Sequence, residues 1–453
     1  MRIVITVNVF FPRSSGGAEV YTLSLAQRLK ALEHDVVVVT CESHVSSDSP
    51  EVTASEDVWQ GISVQRLYFN VLRAPNPVSY AYHNPCVEAY LREFYRAFGT
   101  DLVYVCHPGN VSTAAITAAR ELHLPVVTAA MDFWYICPVS QLLRHDRELC
   151  SGPDNPAHCL VCYIHQRRTA RRYRWLVDRL PIRLLEWGIQ KCLSPWMARS
   201  RHAQMVRALL RRKDWMLRVL EEVDYIVSPS RFLRGRLVEN GVPPDKIVVS
   251  AHGIDADWAR SISRVRCPSD HLRFAFIGMI GWHKGTHVAV QAFNRLERPC
   301  GATLTLYGDN QHFAGYFHQL SQQIDKNPLV TYGGRFPHSQ IAEVLSGVDV
   351  LVTPSVWYEN TPMVMYEAFA AKVPVIATRE GGMVELIDEF EGGWTFPRAD
   401  VDALAALIQR LIDCPQHVSE ASERIKPVRT LDEHLADLMM IYEQACGGRE
   451  GQT

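Results

Sequence analysis

Residues 2–40, RIVITVNVFFPRSSGGAEVYTLSLAQRLKALEHDVVVVT, read as one supersecondary unit. RIVITVNVF is a near-continuous apolar run, the pattern of a strand buried on both faces. A glycine-bearing loop, PRSSGGAEV, leads into YTLSLAQRLKAL, with apolar residues at helical spacing, and then into the strand DVVVVT. Strand, loop, helix, strand is the opening of a doubly wound α/β domain with a parallel sheet. Further strands are predicted at LVYVC (102–106), PVVTA (125–129), DYIVSPS (224–230) and KIVVSAHG (246–253). The same grammar restarts at LRFAFIGMIGWHKGTHVAVQAFNRL (272–296), and TLTLYGDN, LVTYGG, VDVLVTPS and VPVIAT supply four more strands.

This predicts two Rossmann-like domains: residues 1–255, interrupted at about 131–222 by a segment that breaks the α/β alternation, and residues 256–425. The link near 254–270 carries no periodic signal in SRVRCPSDH, and residues 426–453 hold a last helix expected to pack back across it. Ligands of open α/β sheets bind beyond the carboxyl ends of the strands. Two such domains are expected to face a cleft, with Gly16 and Gly17 on one wall and Lys284, Gly308 and the segment at 359–367 on the other.

The segment ENTPMVMYE (359–367) follows the buried-strand pattern VDVLVTPS and precedes AFAAKVPVIAT. It therefore enters a helix at the carboxyl end of a strand, with Thr361 suited to the N-cap and Pro362 to the first helical position. Backbone N–H groups near Thr361 to Met363 would favour an anion, a phosphate being the natural guest. The carboxylates of Glu359 and Glu367 accept hydrogen bonds and repel negative charge, so they suit sugar hydroxyls. Glu367 precedes Ala368, Phe369, Ala370 and Ala371 in surroundings that read as buried, where an acid needs partners. Gly16-Gly17 and Lys284-Gly285 each lie at the first strand-to-helix turn of a domain, where phosphates are commonly cradled, although tight turns use glycine for steric reasons alone.

With ENTPMVMYEAFAAKVPVIAT, GGAEVYTLSLAQRLKALEHDVVVVT, SPSRFLRGRLVENGV and the G..KG of FIGMIGWHKG, nearly the whole chain resembles the retaining glycosyltransferases of the GT-B fold, specifically family 4. The resemblance implies a nucleotide-diphosphate sugar in the C-terminal domain and an acceptor in the N-terminal one. It implies that Glu367 binds the ribose hydroxyls, that Glu359 contacts the donor sugar, and that Asn360, Thr361, Pro362 and Met363 hold sugar and diphosphate through their backbone. Lys284 would neutralise the leaving diphosphate without a metal ion or other cofactor for catalysis. The departing phosphate would take the acceptor proton, so no protein base is required. Two positions depart from the family pattern. Gly278-Met279-Ile280 stands where an arginine often precedes the lysine, with Arg335 a substitute, and Met131-Asp132 stands where His-Asp is common, leaving His107 as the imidazole near the cleft.

In bulk, the 453 residues are 47% apolar and 21% charged, which excludes a disordered chain. No run approaches the roughly 18 apolar residues that a spanning helix needs. The amino terminus reads as a first strand rather than a signal peptide, so a cytoplasmic protein is expected. The net charge of -2 hides an asymmetry: between Tyr163 and Arg218 stand fifteen Lys or Arg against Asp178, Glu186 and Asp214. Interleaved Trp175, Leu176, Leu180, Leu184, Leu185, Trp187 and Trp215 favour an anionic membrane surface over a merely solvated face, each cation near it contributing up to ~1 kcal/mol. Nucleic acid is not expected, since no binding motif accompanies the charge.

Four of the twelve cysteines, Cys137, Cys150, Cys159 and Cys162, fall within 26 residues in CPVSQLLRHDRELCSGPDNPAHCLVCYIH. Their number and closeness suit a tetrahedral zinc or an iron–sulfur cluster, with His145, His158 and His165 as spare ligands. Free buried thiols or a redox pair remain the alternatives. The expectation is a cytoplasmic enzyme, peripheral at the inner face of the membrane, that moves a hexose from a UDP-, GDP- or ADP-sugar to a lipid-linked or polysaccharide acceptor in envelope or exopolysaccharide synthesis. The alternative is a nucleotide-sugar-binding regulator or assembly partner of the same fold, favoured by Met131 and Met279.

Overall fold

The computed structural model describes residues 1–14, 16–42, 51–167, 170–255, 258–259, 269–296 and 301–447. Most of the expected linker, SRVRCP (263–268) included, lies outside them, as do Arg168 and residues 448–453. The chain divides into two compact units, Met1–Ala251 with Asp432–Thr453, and His252–Leu431.

In the first unit, β1 (Arg2–Val7), β2 (Asp35–Glu42), β3 (Thr53–Trp59), β4 (Ile62–Tyr68), β5 (Leu102–Val105), β6 (Val126–Ala129), β7 (Tyr225–Ser228) and β8 (Ile247–Val249) form one sheet in the order β3-β4-β2-β1-β5-β6-β7-β8. Every pairing is parallel except β3 with β4. β1 shows why: Ile3, Val4, Ile5, Thr6 and Val7 are all buried, as a central strand covered on both faces requires. The chain moves outward from β1 to β2 and β4, then returns to the other side of β1 as β5. That reversal makes the β1/β5 boundary a topological switch point, where the sheet opens a crevice at its carboxyl edge.

The hairpin β3/β4 is absent from the strands predicted above. β3, TASEDVW, is exposed along nearly its whole length, so it lacks the apolar alternation that marks a strand. Its turn at Gln60-Gly61, with φ of 45° and 82°, has the doubly positive geometry of a tight hairpin. Acidic Glu56 and Asp57 on this edge strand discourage pairing with another chain. The C-terminal helix, Leu431–Gly447, packs Leu435, Leu438, Ile441 and Tyr442 into the core formed around β1. His434, also on this helix, is buried and bonded from both ring nitrogens, to the Tyr21 hydroxyl at 2.7 Å and to Ser250 Oγ at 3.3 Å.

In the second unit, β9 (Leu272–Ile277), β10 (Ala302–Tyr307), β11 (Val330–Gly334), β12 (Val350–Thr353), β13 (Val375–Thr378) and β14 (Gly393–Phe396) form a wholly parallel sheet in the order β11-β10-β9-β12-β13-β14. The switch point lies between β9 and β12. β14 is a further strand not predicted above; GWTF is four residues opened by glycine, too short for a periodic signal. Ile254 pairs with Thr430 in an isolated parallel bridge, which fastens the two ends of this unit together.

Candidate functional site

The second unit's switch point gathers the loops after β9 and β12. Gly285 lets them meet: its φ is +71°, and a Cβ there would sit 1.8 Å from the Pro354 carbonyl oxygen. Only glycine tolerates both conditions. The close approach brings Lys284 to Glu359, with Nζ donating to Oε1 at 2.7 Å. Ser355 Oγ (2.8 Å) and Trp357 Nε1 (2.7 Å) donate to the same oxygen. Lys284 Nζ also lies 5.3 Å from the centre of the Trp357 ring. Burial pushes the Glu359 carboxyl up, but the Lys284 charge and the three donors outweigh it and hold the group below its ordinary value. Glu359 is thus an ionised, buried carboxylate clamped by its surroundings. His283, beside the same pair, is pulled down to about 4 by burial and then by the Lys284 charge, so it is neutral at ordinary pH.

The helix of this segment runs from Met363 to Ala370, one residue later than expected, with Pro362 rather than Thr361 as its N-cap. Pro362 has φ -62° and ψ 119°, so the ring fixes the entry while the backbone is still extended. Asn360 is buried, and Thr361 leads directly into Pro362. Glu367 lies on this helix with its side chain 13% exposed and accepts a 2.6 Å bond from His338 Nε2. That bond raises the His338 pKa, against the opposing effect of burial. Nothing in the sequence around His338 announces this partner. Ser355 and Trp357 were also missed, although Ser355-x-Trp357-x-Glu359 carries the alternation that aims three side chains at one place.

Gly308 follows β10 with φ +152°, and a Cβ there would lie 1.7 Å from the Gly278 carbonyl oxygen. It seals the turn after β10 against the turn after β9. Arg335, the proposed replacement cation, is exposed after β11.

In the first unit, Gly16 is the N-cap of the helix Gly17–Ala31 in extended geometry. His107 follows β5 at the switch point, and its Nε2 lies 3.1 Å from Asp132 Oδ2. Burial opposes protonation of His107, but the charge and hydrogen bond of Asp132 prevail and raise its pKa, with Glu19 adding to and Arg167 subtracting from the effect. Asp132 Oδ1 accepts from the Trp134 backbone N–H at 2.7 Å. His107 and Asp132 line a cavity of about 430 Å³ together with Asn8, Tyr163, Arg167 and Arg212. Neither Gly16 nor Gly17 lines it. Arg167 and Arg212 were read from sequence as parts of one basic surface; both instead contribute to this interior wall.

Cys137, Cys150, Cys159 and Cys162 line one small cavity of about 20 Å³. Burial, reinforced by the neighbouring thiols, pushes Cys159 up to about 12 and Cys162 to about 11. All four are free, and Cys150 Sγ donates to the Gly152 carbonyl at 3.0 Å. Among the described residues, no group of three or more His, Cys, Asp or Glu side chains is arranged to hold a metal ion. The expected zinc or iron–sulfur centre is therefore not supported by this arrangement, in which Cys137 and Cys162 are buried and Cys150 and Cys159 half-buried.

Two family models match the chain: Glycosyltransferase Family 4 over residues 15–258 and Glycosyl transferases group 1 over residues 261–427. The putative colanic acid biosynthesis glycosyltransferase WcaL of Escherichia coli is 30% identical over 234 residues, which cover 50% of this chain and 54% of that protein. The amylovoran biosynthesis glycosyltransferase AmsK of Erwinia amylovora is 28% identical over 211 residues, covering 44% and 50%. The chain thus spans about half the length of these curated relatives. Among solved structures, a glycosyltransferase from Rickettsia africae superposes with a TM-score of 0.63 at 16% identity, covering 98% of each chain. Anabaena HepE in complex with UDP gives 0.61 at 14% identity, covering 100% of each. At such identities the likeness establishes the fold, GT-B, with its two parallel-sheet α/β domains. With its first unit matched over more than half of the chain and its second matched by the companion model, the chain belongs to glycosyltransferase family 4.

Proposed function

We propose that the protein transfers a hexose, with retention, from a nucleotide-diphosphate sugar to a lipid-linked or polysaccharide acceptor in envelope or exopolysaccharide assembly. The observation that carries this reading is the pair of Lys284 with the buried Glu359, beside the helix that bears Glu367, at the switch point of the second sheet. A cation and a hydroxyl-binding acid at one strand edge suit a donor that is anionic at one end and polyhydroxylated at the other. Lys284 and the N–H groups of Met363 and Val364 would stabilise charge on the departing diphosphate. That phosphate would take the acceptor proton on the face where it leaves, without a metal ion or other cofactor. The names of WcaL and AmsK support an exopolysaccharide product, and the UDP complex of HepE supports a nucleotide donor.

A turnover assay with UDP-, GDP- and ADP-sugars in the presence of EDTA is expected to show donor consumption with at least one of them. Tight binding without turnover of any donor would instead favour the regulator reading. Met279, five positions before Lys284 and 39% exposed, supports that second reading, because it stands where an arginine is common in the family.

The membrane reading rests on Trp175, Trp187 and Trp196, which are 61%, 62% and 73% exposed. Arg179 lies over the Trp175 ring at 5.8 Å and Lys191 over Trp187 at 5.3 Å, so a cation accompanies each of these two exposed amphipathic rings. Among the described residues no helix is long and apolar enough to cross a membrane. Attachment at a surface, on the cytoplasmic side, suits this composition. The protein is expected to float with liposomes rich in phosphatidylglycerol at roughly 0.15 M salt, and to float less as salt shortens the screening length. Failure to float with anionic lipid at that salt sinks the membrane claim.

A further inference from the structure

The cavity of the first unit contains more positive charge than its own residues neutralise. Arg212 is only 6% exposed, yet it lines the cavity and its guanidinium lies 5.0 Å from the centre of the Trp134 ring. Its described hydrogen bond goes to the Trp134 backbone carbonyl. Arg167, on the same wall, donates to the Pro138 carbonyl from Nη2 at 2.9 Å and from Nε at 3.3 Å. Carbonyls position a guanidinium but do not cancel its charge. Among the described residues the one carboxylate lining the cavity, Asp132, has Oδ2 engaged by His107 and Oδ1 by the Trp134 N–H. Withdrawing an arginine from water without a carboxylate partner is unfavourable. An anion entering the cavity would recover much of that cost.

The rest of the wall limits what the anion is attached to. The volume, about 430 Å³, falls within the usual range of small-molecule sites and exceeds what a bare phosphate needs. Asn8 and Tyr80 add polar groups and an aromatic face, which suit a hydroxylated ring. The position supports the same reading: Asn8 follows β1 and His107 follows β5, the two strands that flank the switch point. A pair of planar forks also matches phosphate oxygens better than it matches neutral hydroxyls.

We propose that this cavity binds a phosphate-bearing saccharide, with Arg167 and Arg212 holding the phosphate while the sugar lies against Asn8 and Tyr80. The inference deepens the transferase reading and rests on it: the phosphate would mark the acceptor, either as a soluble sugar phosphate or as a sugar on a lipid diphosphate.

The test is calorimetry on the full chain with glucose 1-phosphate, a short-chain prenyl diphosphate glucose and methyl glucoside as probes. At least one phosphate probe is expected to bind about tenfold or more tightly than methyl glucoside, as the loss of a charge-assisted hydrogen bond implies. Tighter binding of glucose 1-phosphate identifies the soluble source, and tighter binding of the prenyl probe the lipid one. R212Q is expected to lose this preference. Because Arg212 packs on Trp134 and its replacement can unfold the site, R167Q serves as the second variant, and a folded R167Q is expected to lose about tenfold in affinity for the phosphate probes only. Equal binding of charged and neutral probes, or undiminished phosphate binding by folded R167Q, overturns the proposal. Wild-type affinity for UDP-, GDP- and ADP-sugars, measured alongside, tests the donor reading by itself.

Discussion

Glu367→Ala is expected to weaken nucleotide-sugar binding by about hundredfold or more, because the diol it would hold loses charge-assisted hydrogen bonds to a carboxylate that is itself largely withdrawn from water. The fold should survive. Glu367's described partner is His338, whose side chain is 58% exposed, and a half-solvated pair of this kind contributes under about 1 kcal/mol. Calorimetry with the preferred donor reads the effect, and unchanged affinity in the variant defeats the assignment. The pair also predicts a pH dependence. The bond to Glu367 raises the folded-state pKa of His338, so the pair is complete below the ordinary histidine value of 6.5 and is lost as pH rises through the raised one. A diol chelated by both oxygens of Glu367 would compete with His338 for Oε1. The donor's affinity is therefore expected to rise as pH climbs through that window, and the rise should vanish in Glu367→Ala.

Lys284→Ala is expected to damage both stability and transfer, and the two losses can be separated. Glu359 is 8% exposed, and all three of its described side-chain donors converge on Oε1. Without the ammonium, a buried carboxylate keeps only two neutral donors. Breaking a buried pair typically costs ~3–5 kcal/mol; since the Lys284 side chain is 25% exposed, the discounted expectation is about 2–3 kcal/mol by urea unfolding. Adding Glu359→Gln removes the stranded charge, so the double variant should regain part of the stability while transfer stays lost. A double variant as unstable as Lys284→Ala alone would mean that the pair is not what holds the loops. The sign of the acid response agrees. The Glu359 pKa is lowered on folding, so its contribution is present above the ordinary value of 4.5 and lost as pH falls through the depressed one. Lys284→Ala should therefore flatten the acid limb of the stability profile.

Much of this architecture was legible in the sequence because parallel α/β sheets write themselves as buried apolar runs. β1, β12 and β13 are of that kind, and the glycine-marked turns after β1 and β9 showed where each unit begins. β3 escaped because an exposed edge strand has no core face to record, and β14 because four residues carry no period. At the candidate site, Glu359, Glu367 and Lys284 were singled out from the sequence, the acids by their place at a strand end and Lys284 by its position at a strand-to-helix turn and by the family resemblance. Their partners were not. His338 meets Glu367 across 29 positions of chain and Lys284 meets Glu359 across 75, pairings set by the order of strands in the sheet rather than by any local pattern. The basic segment was legible only in part for a related reason. Counting charge along 163–218 cannot tell Trp187, on the surface, from Arg212, which is buried against Trp134. The cysteines carried spacing but not direction: the sequence brings four thiols to one cavity without saying how they point.

The helix Leu431–Gly447 belongs to the first unit although the chain reaches it only after completing the second. Recombination between relatives inherits this threading. A single crossover near Ala251 that imports a foreign carboxyl-terminal half also imports a foreign helix, which must fit Tyr21 and Ser250 through whatever replaces His434 and fill the space of Leu438 and Tyr442. Viable chimaeras that exchange donor specificity are therefore expected to need two junctions, near Ala251 and Leu431, so that the last helix stays with the amino-terminal sequence with which it shares a core.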